Sequence, residues 1–234
     1  MFSLDGARRR TTRTLRLPAL GRVAVVAVLT LSATAFGGMQ QSFASEAGGS
    51  EHCVSARAFH DQMRELWDDH INYTRLTIVS FAGGLPDLSA TETRLLQNQT
   101  DLGSAFKPFF GDAAGDQLTA LLRVHIRTAV DVLVAAKAGN TAAFNDANAK
   151  WYANANDIAD FLHSLNPGRW SDADLRAMMK EHLDITLKEA SDQLTGHFAE
   201  SITDFDQVRT QILGMADTLS SGIIDAFPSS FCCG

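Results

Sequence analysis

Leu66-Trp67-Asp68-Asp69-His70-Ile71-Asn72-Tyr73-Thr74 is the stretch on which the fold turns. Trp67, His70 and Thr74 stand at steps of three and four, and Phe59, Met63, Ile78 and Phe81 extend the series on both sides. That spacing is one face of an α-helix over about residues 56–81, and it sets an imidazole on the face that must be buried. Gly83-Gly84-Leu85-Pro86 stops the pattern.

Five more patterns of the same kind come after it. Ser89-Ala90-Thr91-Glu92 reads as a capping box opening a second helix, which Pro108 is expected to break. A third covers about 113–138, with Leu118, Leu122, His125, Val132 and Leu133 on its stripe. A fourth carries Phe144, Trp151, Ile158 and Leu162, and Asn166-Pro167-Gly168 ends it. Ser171-Asp172-Ala173-Asp174 starts a fifth, with Leu175, Met179, His182 and Thr186 facing inward. The sixth spans about 198–227, with Ile202, Phe205, Val208, Ile212, Met215, Leu219 and Ile223 inward. No residues match at a fixed period, so no solenoid is expected. Short connections favour antiparallel neighbours. The expected fold is all-α: an antiparallel helical bundle over 56–228, with a four-helix core and about two additional helices.

The segment before the first helix reads differently. Arg8, Arg9, Arg10, Arg13, Arg16 and Arg22 form a basic region ahead of the short apolar run 23–36, and Ser42-Phe43-Ala44 fits a cleavage site. Residues 1–44 are therefore expected to be a signal peptide, with an uncleaved anchor as the alternative, and the protein to be secreted or held in the cell envelope. Residues 45–55 read as a flexible Gly/Ser linker. The leader holds six of the 20 basic residues and one of the 27 acids. The chain beyond residue 44 is strongly acidic, a surface that repels nucleic acid and anionic lipid. Cys53, Cys232 and Cys233 are disulfide candidates in an oxidising compartment, with a staple between the chain ends, a bond within the adjacent pair or an intermolecular bond all open. Residues 229–234 read as a short Cys tail.

His70, His125 and His182 are the candidate ligand or metal residues. Each stands mid-helix on the apolar stripe, and helix centres meet at one level in a bundle. Imidazole binds Zn, Cu or Fe, haem iron included, through one nitrogen while a neighbouring acid or amide orients the other. Asp69, Gln99 and Asp184 are the orienting candidates, with Asp101, Asp157 and Glu189 as further acids. The competing reading is a set of core histidines bonded to amides such as Gln97, Asn98, Gln99 or Asn154. Met178, Met179 and Met215 read as core filler rather than a copper set. A nucleotide-binding motif is missing, as is the strand–helix alternation such a motif needs.

Several pieces together resemble a family of exported bacterial helical proteins: Leu66 to His70 with Thr74-Arg75, Arg94 to Gln99, Lys107-Pro108-Phe109-Phe110-Gly111, Leu121 to Ile126, Trp151-Tyr152 with Asp157-Ile158-Ala159, His182-Leu183-Asp184, and Gly222-Ile223-Ile224 with Phe227-Pro228. The resemblance spans about residues 60–228. It implies an exported helical domain and brings with it a glycosyltransferase label, for which these residues carry no motif and no site to transfer. The leading expectation is a secreted bundle that binds a metal ion or small ligand through the three histidines. The alternatives are a structural or interaction protein of the envelope, with an envelope partner and no ligand, and a transferase.

Overall fold

The computed structural model describes residues 54–232. The leader, residues 45–53 of the linker, Cys53 and Cys233 lie outside the described residues. Six helices make up nearly all of what is described: α1 (Ala56–Gly83), α2 (Leu88–Phe110), α3 (Asp112–Lys137), α4 (Thr141–Leu165), α5 (Asp172–Thr195) and α6 (Phe198–Ala226). None is long and apolar enough to cross a membrane.

Their ends obey local chemistry. Ser55, Asn140 and Ser171 each accept a backbone N–H of the first turn of α1, α4 and α5. Gly84 and Gly196 take the left-handed conformation that closes α1 and α5. Two expectations about α2 give way. Asp87 is its N-cap and makes no side-chain cap bond, so Ser89 lies inside the first turn and forms no capping box. Pro108 does not break the helix, which runs on to Phe110. In the last turn the missing N–H costs one bond and little helix remains to be disrupted. Gly111, at φ 85°, then turns the chain directly into α3.

The all-α bundle forms as expected, and its helices close a ring rather than a four-helix core with two attachments. Each helix packs on the next, α6 returns to α1, and α5 touches α1 and α3 across the middle. Chain order and position also show a repeat that residue matching does not. The hairpins α1–α2, α3–α4 and α5–α6 are three copies of one plan. Their first helices bury Met63, Leu118 and Leu175 two turns before His70, His125 and His182, and Ile71, Ile126 and Leu183 just after. Ile78, Leu133 and Ala190, each eight places past its histidine, meet in a cluster of their own. The second helices bury Leu102, Ile158 and Met215, then Phe106, Leu162 and Leu219, in places that agree to within one residue, the first hairpin being one short. The repeat is therefore one of position and burial, with few identities.

The described residues that flank the bundle pair with each other. Val54–Ser55 (β1) pairs in parallel with Phe231–Cys232 (β2), which comes after a short turn at Pro228–Ser230. Phe231 is buried, with its ring 5.4 Å from those of Phe59 and Phe109. Cys232 is disulfide-bonded. At the same end α6 presses a glycine onto Trp170: a Cβ at Gly222 would overlap the indole, whose Nε1 donates to Thr218 O at 3.3 Å. Trp170 is fully buried and has nowhere to move. Gly222→Ala should cost about 2 kcal/mol, read as a lower Tm in calorimetry. A variant as stable as the parent would contradict this packing.

Candidate functional site

The helical stripes carry His70, His125 and His182 to one level on the bundle axis. All three are buried. The His182 ring centroid lies 5.9 Å from that of His70 and 6.4 Å from that of His125.

Each imidazole is held by an amide from the second helix of its own hairpin, 29 residues further along in every case. Asn154 Nδ2 donates to Leu121 O, which fixes its amide and leaves Oδ1 to accept from His125 Nδ1 at 3.0 Å. Trp151 Nε1 donates to His125 Nε2 at 3.2 Å. His125 is thus the neutral Nδ1–H form with both nitrogens engaged. His182 repeats half of this. Gln211 Nε2 donates to Met178 O, and its Oε1 accepts from His182 Nδ1 at 3.2 Å. His182 Nε2 has no partner among the described residues.

Around His70 the pattern is strained. Gln99 Nε2, with two hydrogens, faces three acceptors: Leu95 O at 2.8 Å, Asn98 Oδ1 at 3.1 Å and His70 Nδ1 at 3.3 Å. Gln99 Oε1 is buried without a partner, and so is Nε1 of Trp67, whose ring lies edge-on to His70 at 5.6 Å. An orphaned acceptor and an orphaned donor of this kind each cost on the order of 1–3 kcal/mol.

Burial holds all three imidazoles neutral. It takes His125 to about 3 and His182 to about 4, the neighbouring His182 adding to the effect on His125 and the Asn154 and Gln211 bonds opposing it. His70 is lowered well below its ordinary value by burial and then by His182 and His125. No charge compensates here. Asp69 is bound by Arg94 at 2.9 Å, and Arg94 also reaches Asp101 and lies over the Tyr73 ring. Asp184 is bound by Lys180 and by Tyr152 Oη. Neither carboxylate orients a histidine. One residue is about 100° of helix and two are about 200°, so the neighbours of an inward residue point elsewhere. Asp157 is exposed. Glu189 is buried, but its carboxylate pairs with Arg75 at 3.0 Å one layer away. Of the expected partners, Gln99 reaches a histidine and Asn154 does so as one of the amides considered. Gln211 and the Trp151 indole went unforeseen, and the equal 29-residue offset was the signal available for Gln211.

The set does not suit a metal ion. Among the described residues no three His, Cys, Asp or Glu side chains are placed to hold one. His125 has no free lone pair. A cation in a buried layer without a counter-charge loses several kcal/mol of hydration that two imidazoles do not return. The cavity beside the layer is about 40 Å³, room for two or three water-sized groups and far short of a porphyrin.

No family model, no curated protein and no solved structure matches this chain.

Proposed function

We propose that this is an exported, non-catalytic bundle that binds a small uncharged ligand at its axial histidine layer. The observation that carries the reading is the layer's own inventory. Three neutral imidazoles meet there with Gln99 Oε1 and Trp67 Nε1 buried and unmet, and His182 Nε2 makes no hydrogen bond among the described residues. Unmet donors and acceptors at 0–4% exposure are what a neutral hydrogen-bonding ligand satisfies and an ion does not. The layer holds no carboxylate, so it offers no acid–base pair for a transferase. Export rests on the leader read from residues 1–44.

Native mass spectrometry of protein taken from its own export route tests this. The expected result is a stoichiometric mass excess that is lost on denaturation, with Zn, Cu and Fe well below one per chain. His182→Leu, checked for helicity by circular dichroism, should lose the excess. A stoichiometric metal would overturn the uncharged-ligand reading, and a bare mass in every preparation would leave no ligand to bind.

A bare mass would support the second reading, an envelope structural or interaction protein. The observation favouring it is that every imidazole already has an amide partner. In that case His182→Leu should alter stability alone.

A further inference from the structure

One helical turn past the histidines, toward the hairpin turns, the axis is not filled. The cavity there is floored by the level of Thr74, Ala129 and Thr186, each four residues after its histidine, and Leu95, Ile126 and Trp151 wall it. Ile78, Leu133 and Ala190 line its far side, and it stays partly open to solvent beside the half-buried Thr74, Ala129, Val130 and Leu187. The lining is almost wholly carbon, and its hydroxyls divide. Thr74 Oγ1 donates to His70 O and Thr77 Oγ1 to Tyr73 O, both at 2.8 Å, the usual bond of a threonine to its own helix. Thr186 occupies the place in the third hairpin that Thr74 occupies in the first, and it does not make that bond. Its Oγ1 is buried with no partner.

Water is a poor occupant of such a space, because a buried water needs two to four polar partners and the cavity offers one free hydroxyl. An ion is worse. We propose that this cavity seats a neutral molecule of about three heavy atoms, apolar in its body and carrying one hydrogen-bonding group that meets Thr186 Oγ1, as a two- or three-carbon alcohol would. The inference goes beyond the small-ligand reading above: none of the unmet groups of the histidine layer lines this cavity, so it is a second site, one turn away, with an occupant of its own size and chemistry.

Two probes test it on methyl-labelled full-length protein: xenon for the apolar space and ethanol for the hydroxyl. Under xenon pressure the methyl NMR signals of Ile78, Ala129, Leu133 and Ala190 should shift and saturate. Ala129→Leu, which fills the space with a side chain, should abolish the response. Thr186→Val keeps the shape and removes the hydroxyl, so xenon binding should persist while ethanol affinity falls about tenfold, the worth of one hydrogen bond. Methyl signals that ignore xenon in the folded parent would overturn the proposal, as would ethanol binding equally well to Thr186→Val. Xenon touches no histidine. A saturating response beside a bare native mass would therefore keep the cavity and reject the natural-ligand reading, so the two failures are distinct.

Discussion

Between pH 7 and pH 5 the folded protein should lose stability steeply. A histidine is ordinarily half-protonated near 6.5. Folding holds His125 at about 3 and His182 at about 4, so between pH 6.5 and pH 4 the unfolded chain binds protons that the folded chain refuses. Stability is present above 6.5 and lost as the pH falls below it. By pH 5 each of these two imidazoles costs about 2 kcal/mol, and His70 acts in the same direction. Glu189 acts in the opposite one. Burial raises its carboxyl to about 7, against the pull of Arg75, so on acidification the folded chain gains a proton there and recovers about 2 kcal/mol. The net loss from these three groups is about 2 kcal/mol, to which His70 adds, against the 5–15 kcal/mol that folding usually supplies. Urea unfolding at pH 7, 6 and 5 should show the midpoint falling, and falling further in a Glu189→Gln background where the offset is gone. A midpoint unchanged between pH 7 and pH 5 in that background would contradict neutral buried histidines.

Arg75→Met should be the most damaging change away from the axis. Arg75 reaches from α1 to α5 and α6: it binds Glu189 at 3.0 Å and Gln193 Oε1 at 3.2 Å, donates to Ser201 Oγ, and lies over the Phe205 ring. Glu189 and Ser201 are almost fully buried. Removing the guanidinium strands the carboxylate, a loss of about 3–5 kcal/mol. The loss should be greatest near pH 8 and smaller near pH 6, because without Arg75 the carboxyl is pushed up further and takes a proton. Adding Glu189→Gln to Arg75→Met should return much of the stability at pH 8. A loss equal at both pH values and untouched by the second change would assign Arg75 a packing role alone.

The same cluster explains where sequence periodicity misleads. Ile202 fits the apolar stripe of α6 yet is 56% exposed. Ser201 and Asp204 take the inward places instead, Ser201 on Arg75 and Glu189 and Asp204 on Lys188 at 2.7 Å. Hydrophobicity reads the first turn of α6 one residue out of phase because buried ion pairs outrank an apolar side chain there. The histidines were legible for the converse reason: the residues three and four places before each are apolar, Leu66 and Trp67, Leu121 and Leu122, Met178 and Met179, and so fix the face on which it lies. The acids were misplaced because nearness in sequence is not nearness around a helix. The threefold plan was hidden because its equivalent places hold different residues, as Met63, Leu118 and Leu175 do, or Asn154 and Gln211. A core selects volume and hydrogen-bonding capacity rather than identity.

The neutrality of the axial histidines is the claim from which the ligand class and the acid lability descend, while the case against a metal rests beside it on the occupied His125 lone pair and the absence of a three-ligand set among the described residues. Long-range ¹H–¹⁵N NMR of the imidazoles, recorded from pH 7 to pH 5 and again at pH 7 with one equivalent of Zn(II), tests it most directly. Three uncharged rings that do not titrate while the protein stays folded are expected, with His125 and His182 as Nδ1–H forms and no change on adding zinc. Any of the three titrating near 6.5, or a zinc-shifted Nε2, would contradict it.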